Sequence, residues 1–137
     1  MSQSGYLLDT HALLFWVNKE NISTEFISFL DQQNQQQQLF ISTIIFWEIA
    51  LLVQKRKILL ADLPAWQEQL LANTNLQLLS PTPIEMINST VLPPIHKDPF
   101  DRLLIAQANQ HKLQLVTQDD TIKQYSVSSF WLPVQVR

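Results

Sequence analysis

Asp9, Glu48, Asp101 and Asp119 come from four distant stretches of the chain, each at a place where a carboxylate can do chemistry. Asp9 directly follows the apolar run Tyr6-Leu7-Leu8, and Asp119 lies just beyond Leu113-Gln114-Leu115-Val116. Asp101 belongs to the run Asp98-Pro99-Phe100-Asp101, and Glu48 sits inside the apolar segment Ile44 to Val53. If that segment is helical, the residues three and four positions from Glu48 are Ile44, Ile45, Leu51 and Leu52, so no local cation can pair with it. A carboxylate buried without a partner costs several kcal/mol, and the usual resolutions are neutralisation, a distant partner or a metal. Glu48 must therefore find company from elsewhere in the fold.

Hard divalent cations supply such company. Mg²⁺ takes oxygen ligands and combines a few carboxylates with waters and substrate phosphate oxygens. Zinc is poorly supported, because there is no cysteine and His11, His96 and His111 show no paired ligand spacing. Acids that repel one another without metal point to phosphodiester hydrolysis, in which one ion activates water and another stabilises the leaving oxygen.

The elements that must position these residues alternate along the chain. Short strands are expected at Tyr6–Leu8, Leu39–Ile41, Leu76–Leu79 and Leu113–Val116, with an edge strand at Ser129–Leu132. Helices are expected from His11 to Val17, from Ser23 through Leu30, from Ile44 to Lys57 after a Ser42-Thr43 cap, and from Ala65 to Ala72. Others follow at Ile84–Ile87 and from Phe100 to His111, with Asp98 as N-cap and Pro99 at the first helical position. Lys55-Arg56-Lys57 are placed in the last turn of the third helix, where cations suit the helix dipole. The glutamine-rich stretch from Asp31 to Gln38 reads as a solvated helix end plus a loop. Strands alternating with helices imply an α/β fold, a mainly parallel sheet covered on both faces. Ligands of such sheets bind beyond the carboxyl ends of the strands, where the acids fall.

Composition sets the outer bounds. A chain of 137 residues with 46% hydrophobic and 15% charged residues is expected to form one domain spanning 1–137 and to bury about two-thirds of its unfolded surface. Absence of cysteine excludes disulfides and thiolate chemistry, and the lone Gly5 excludes glycine-rich phosphate loops. No apolar run reaches the ~18 residues of a membrane span, and the N-terminus has no basic, signal-like start, so a cytoplasmic protein is expected. A net charge of −3 argues against a broad basic nucleic-acid face but not against an enzyme that gathers cations around carboxylates.

Each acid also has a plainer reading. Asp9, Asp98, Asp119 and Asp120 are all placed to cap helices, and Asp101 can complete a capping-box-like arrangement with Asp98. His11 and the cations Lys97 and Arg102 can position phosphates, or serve as ordinary surface groups and ion-pair partners. Trp16, Trp47, Phe100 and Trp131 read as core or interface residues, with base stacking open only to an exposed one. A haloacid-dehalogenase-like phosphatase needs a second Asp two residues after Asp9, where His11 stands, and a receiver domain's acidic pair and late lysine are missing.

The ordered set of stretches is more specific than any one of them. Leu7-Leu8-Asp9-Thr10-His11-Ala12-Leu13-Leu14, Ser42 with Trp47-Glu48-Ile49-Ala50, His96-Lys97-Asp98-Pro99-Phe100-Asp101-Arg102 running into Leu103-Leu104-Ile105-Ala106, and Leu115-Val116-Thr117-Gln118-Asp119 together resemble the PIN-domain ribonucleases, more narrowly the VapC-type toxins of bacterial toxin–antitoxin pairs. The resemblance implies a PIN-like three-layer α/β/α fold and Mg²⁺- or Mn²⁺-dependent cleavage of RNA. It implies Asp9, Glu48, Asp101 and Asp119 as the metal-binding quartet and Thr117 as the hydroxyl that steadies the site, with Asp98 and Asp120 as second choices. A homodimer and a cognate antitoxin partner are implied as well. A non-catalytic PIN-like binding module and a housekeeping RNA-processing nuclease are the alternatives.

Overall fold

The computed structural model describes residues 5–133. Five short strands, β1 (Tyr6–Leu8), β2 (Leu39–Ser42), β3 (Gln77–Leu79), β4 (Gln114–Val116) and β5 (Ser129–Phe130), form an all-parallel sheet in the order β3-β2-β1-β4-β5. The helices between them are α1 (Thr10–Asn18), α2 (Thr24–Gln35), α3 (Ile44–Gln54), α4 (Leu63–Asn73), α5 (Pro83–Thr90) and α6 (Pro99–His111).

Alternation along β1 divides the core in two. Leu8 packs on one face with Leu13 of α1, Phe26 of α2, Ile45 and Ile49 of α3 and Leu70 of α4. Leu7 faces the other way, toward Leu104, Ile105 and Ala108 of α6. The result is the expected three-layer α/β/α sandwich. No described helix is long and apolar enough to cross a membrane.

Local chemistry explains most helix starts. Ser23 accepts from Phe26 N at 3.1 Å, Asp62 from Ala65 N at 3.0 Å, and Thr82 forms a reciprocal capping box with Glu85. The third helix begins at Ile44 as expected, with Ser42 Oγ accepting from Ile44 N at 3.3 Å and Thr43 making no side-chain cap, but it departs from expectation at its far end. It stops at Gln54, and Arg56 takes a left-handed conformation with φ 59°, so Lys55-Arg56-Lys57 form the turn after the helix and not its last turn. The glutamine-rich stretch is the solvated end of α2 as far as Gln35, with no apolar residue after Leu30, and then a turn in which Gln37 is left-handed with φ 59°.

Strand order fixes where a site can form. From β1 the chain moves outward through β2 and β3, then returns to β4 on the opposite side of β1. The crossover reversal lies between β1 and β4, the position at which parallel α/β sheets open a crevice. Leu8 pairs with Val116 in register, so the next residues on each strand, Asp9 and Thr117, emerge side by side at the carboxyl edge.

Candidate metal centre

A pocket of 330 Å³ opens at this switch point, lined by Asp9, Thr10, His11, Phe15, Glu48, Asp98, Asp101, Gln118 and Asp119. Four elements supply its acids. β1 delivers Asp9, α3 delivers Glu48, the first turn of α6 delivers Asp98 and Asp101, and the loop after β4 delivers Asp119. All four quartet residues therefore meet in one place, with Asp98 beside them. Asp120 does not join them: its exposed carboxylate faces Lys123 at 3.5 Å.

The capping readings are true in part and do not exhaust the carboxylates. Asp9 is buried and uses Oδ1 to cap α1 through Ala12 N at 2.8 Å, while the Thr117 hydroxyl hydrogen-bonds it from the neighbouring strand. Burial outweighs these bonds and raises the proton affinity of Asp9 above that of an ordinary aspartate. Asp98 caps α6 through Phe100 N at 2.9 Å. Asp101 completes no capping box; its Oδ2 turns into the pocket and lies 3.0 Å from His96 Nε2. Burial, reinforced by the charges of Asp98, Glu48, Asp9 and Asp119, pushes its pKa up to about 8. Asp119 is pushed up by burial, but hydrogen bonds from His96 and from the backbone of Thr121 and Ile122 prevail and hold it below the usual range.

Glu48 is half-buried at the pocket wall, and its partner is the buried Thr10, whose hydroxyl donates to Oε1. Among the described residues no cation pairs with it, and its company is other acids and a hydroxyl. Trp47, beside it, is 63% exposed and meets Phe100 edge-on at 5.0 Å between centroids, so it is no core residue. Trp16, in contrast, is buried and donates Nε1–H to Asp31 at 2.8 Å.

Residues 6–127 match the PIN domain family. The chain belongs to this family. No curated protein matches it by sequence. Among solved structures it is similar to VapBC2 from Rickettsia felis bound to a DNA fragment from their promoter, with TM-score 0.68 and 18% identity over 90% of this chain and 95% of that one. It is similar also to DNA-bound VapBC from Salmonella typhimurium, with TM-score 0.66 and 17% identity over 93% and 96% of the two chains. A toxin–antitoxin complex from Klebsiella pneumoniae aligns with TM-score 0.57 and 18% identity over 84% and 87%. At such identities the likeness is one of fold.

Within this PIN domain the cations expected to position substrate divide. Arg102 points away from the pocket and spends its N–H groups on the scaffold: Nε donates to Ser89 O, Nη1 to Pro93 O, His96 O and the Tyr125 hydroxyl, and Nη2 to Thr90 O and Leu92 O. It staples the loop between α5 and α6, and no donor is left to meet a phosphate. Arg102→Ala is expected to cost about 1–3 kcal/mol, because several part-buried carbonyls lose a shared charged donor. Lysine recovers little, since one ammonium cannot copy the fork. Urea unfolding checks this, and a loss under about 1 kcal/mol counts against the staple. Lys97 is exposed and does not line the pocket, whereas His11 is exposed on its rim, 6.1 Å from the Phe15 ring.

Sequence reasoning misses Thr10 and Gln118 in the pocket lining and His96 beside it. Thr10 follows Asp9 and reads there only as a cap, and Gln118 carries no charge to draw notice. His96 is the important omission. Its Nε2 also contacts Asp119 Oδ2 at 3.1 Å, and His96, Asp101 and Asp119 place one ligand-type atom each within 4.8 Å of one another. A search for paired histidine spacing misses it because its partners are carboxylates five and 23 positions onward.

The donor set suits a hard divalent cation. Its members are carboxylate oxygens from Asp9, Glu48, Asp101 and Asp119, two of them with raised proton affinity because like charges and burial oppose ionisation. A bound cation relieves that opposition by favouring the ionised form.

Proposed function

We propose that this PIN domain is a metal-dependent endoribonuclease acting as the toxin of a toxin–antitoxin pair. The observation that carries this reading is the meeting of Asp9, Glu48, Asp101 and Asp119 in one pocket at the β1/β4 switch point. A scaffold or binding module has no use for carboxylates held together against their own repulsion.

Asp9, Glu48, Asp101 and Asp119 would hold Mg²⁺ or Mn²⁺, and the ion would supply an activated water and a Lewis acid for phosphate oxygens. The chain's own residues do the rest. Thr117 holds Asp9 in place across the β1–β4 register, Thr10 fixes the Glu48 rotamer, and α1 anchors Asp9 through Ala12 N. Exposed His11 and Gln118 on the rim stand where RNA phosphates or sugars would lie, with Lys97 farther out.

The partners follow from the same reading. A second cleft, lined by His11, Phe15, Leu52, Leu60 and Trp66 among others, adjoins the acidic pocket through His11 and Phe15, and an antitoxin segment seated in it would block access. The α5 helix exposes Ile84, Met86 and Ile87 and no charge, since its one acid, Glu85, is buried against His111. That neutral, apolar face suits a homodimer. A cytoplasmic location goes with an RNA substrate.

Purified protein should cut RNA with Mg²⁺ or Mn²⁺, stop in EDTA, and lose cleavage in Asp9→Asn and Glu48→Gln. Equal cleavage by all three proteins would expose a contaminating nuclease and remove the reading's support.

A further inference from the structure

His96 stands within reach of two members of the acidic quartet, and what it does there depends on which ring nitrogen bears the proton. The backbone answers. Asp98 N–H points at His96 Nδ1 from 3.1 Å, so Nδ1 is an acceptor with its lone pair engaged. A neutral ring then carries its hydrogen on Nε2, the nitrogen that faces Asp119 Oδ2 at 3.1 Å and Asp101 Oδ2 at 3.0 Å. Moving the proton to Nδ1 would set one N–H against another.

The rest of the residue is pinned as firmly. His96 N donates to the Tyr125 hydroxyl at 2.7 Å, that hydroxyl donates onward to Pro93 O at 2.8 Å, and His96 O accepts from Arg102 Nη1 at 3.1 Å. The same backbone N–H that fixes the tautomer belongs to Asp98, the N-cap that starts α6 and thereby places Asp101. Ring orientation and helix start are set by one turn of chain.

We propose that His96 is a positioning residue for the metal centre and not one of its ligands: as the Nε2–H tautomer it donates to Asp119 and holds that loop carboxylate against Asp101 of α6. A metal ligand needs a free lone pair on the facing nitrogen, and Nε2 has none while Asp98 N–H occupies Nδ1. The clamp joins acids from two different elements, the first turn of α6 and the loop after β4, a junction no strand register enforces. This inference rests on the proposed metal-dependent reading of the pocket.

Two measurements test it. In protein labelled with ¹⁵N-histidine, long-range imidazole correlations should show His96 as the neutral Nε2–H tautomer, both without metal and with saturating Mg²⁺. Loss of the Nε2 proton on adding Mg²⁺ would make His96 a ligand and overturn the proposal. In calorimetric Mg²⁺ titrations, His96→Ala should bind about 10–100-fold more weakly, the cost typical of removing an outer-shell partner. His96→Gln, whose amide N–H can reach the Nε2 position, should stay within about threefold of wild type. A glutamine variant as weak as the alanine one, or an alanine variant as tight as wild type, would overturn the clamp. Neither readout uses RNA, so a protein with the clamp intact that cuts no RNA would sink the nuclease reading and leave this one standing.

Discussion

Asp101→Asn should make the metal-free protein more stable at pH 8 and at the same time destroy its response to Mg²⁺. Asp101 sits under burial and four like charges, which is why its pKa climbs to about 8. An isosteric amide keeps the shape and removes the charge that burial and repulsion oppose. The melting temperature of the metal-free variant is therefore expected to rise by several degrees. Wild type should gain about 2.7 kcal/mol at a Mg²⁺ concentration one hundred times its Kd, the linkage expected of an ion that binds only the folded state. The variant should gain almost none of this. RNA cleavage should drop about 10³-fold or more, since metal charge stabilisation is worth several kcal/mol and each 1.4 kcal/mol is a factor of ten. Thermal scans with and without Mg²⁺ read the first two effects and single-turnover cleavage the third. A variant less stable than wild type in the metal-free state, with an undiminished Mg²⁺ response, would mean that Asp101 is a structural acid and the pocket is something else.

Opposite signs of these expected effects would mark a functional site. Elsewhere in the fold, local chemistry and global structure agree: Ser23, Asp62 and Thr82 cap their helices, and apolar residues alternate across β1 into two cores. In the pocket they conflict, as carboxylates are gathered where solvation is poor. Such conflict persists where something outside the folding problem needs it.

That contrast also explains what the sequence discloses. Strand ends and N-caps are local signals, so the positions of Asp9, Asp98, Asp101 and Asp119 can be inferred from the apolar runs beside them. Convergence of Glu48 can be inferred too, because an acid ringed by Ile44, Ile45, Leu51 and Leu52 has no local partner. Arg102 and His96 are different. The donors of Arg102 reach carbonyls of residues 89–96, and the role of His96 is written in a backbone N–H two residues away; neither contact leaves a pattern of residue types. Trp47 is another such case, since an apolar helix predicts a buried tryptophan and only the packing of α3 on its neighbours leaves this one 63% exposed. The basic turn Lys55-Arg56-Lys57 depends on Arg56 adopting a left-handed conformation, which arginine does not advertise.

Metal-free protein should lose stability as the pH rises from about 4 to about 8, the reverse of what most carboxylates cause. Unfolded aspartate titrates near 3.9. Asp101 titrates at about 8 in the folded chain, and Asp9 is raised as well. Between those limits the native state holds protons that the unfolded chain has released, so fewer protons are bound on unfolding and stability falls with pH. Asp119 works the other way, but its folded pKa is lowered, so its contribution is lost only as the pH falls below about 4 and offsets nothing in this window. The melting temperature is therefore expected to drop by roughly 5–10 °C between pH 5.5 and 8 in EDTA, as a loss of a few kcal/mol would produce in a domain of this size. Saturating Mg²⁺ should flatten or invert the slope, because the ion competes with those same protons and binds more tightly as they leave. Asp101→Asn should flatten it without metal. A melting temperature in EDTA that stays constant or rises across that range would show that Asp9 and Asp101 are ionised at ordinary cost, and that the pocket stores no repulsion for a cation to relieve.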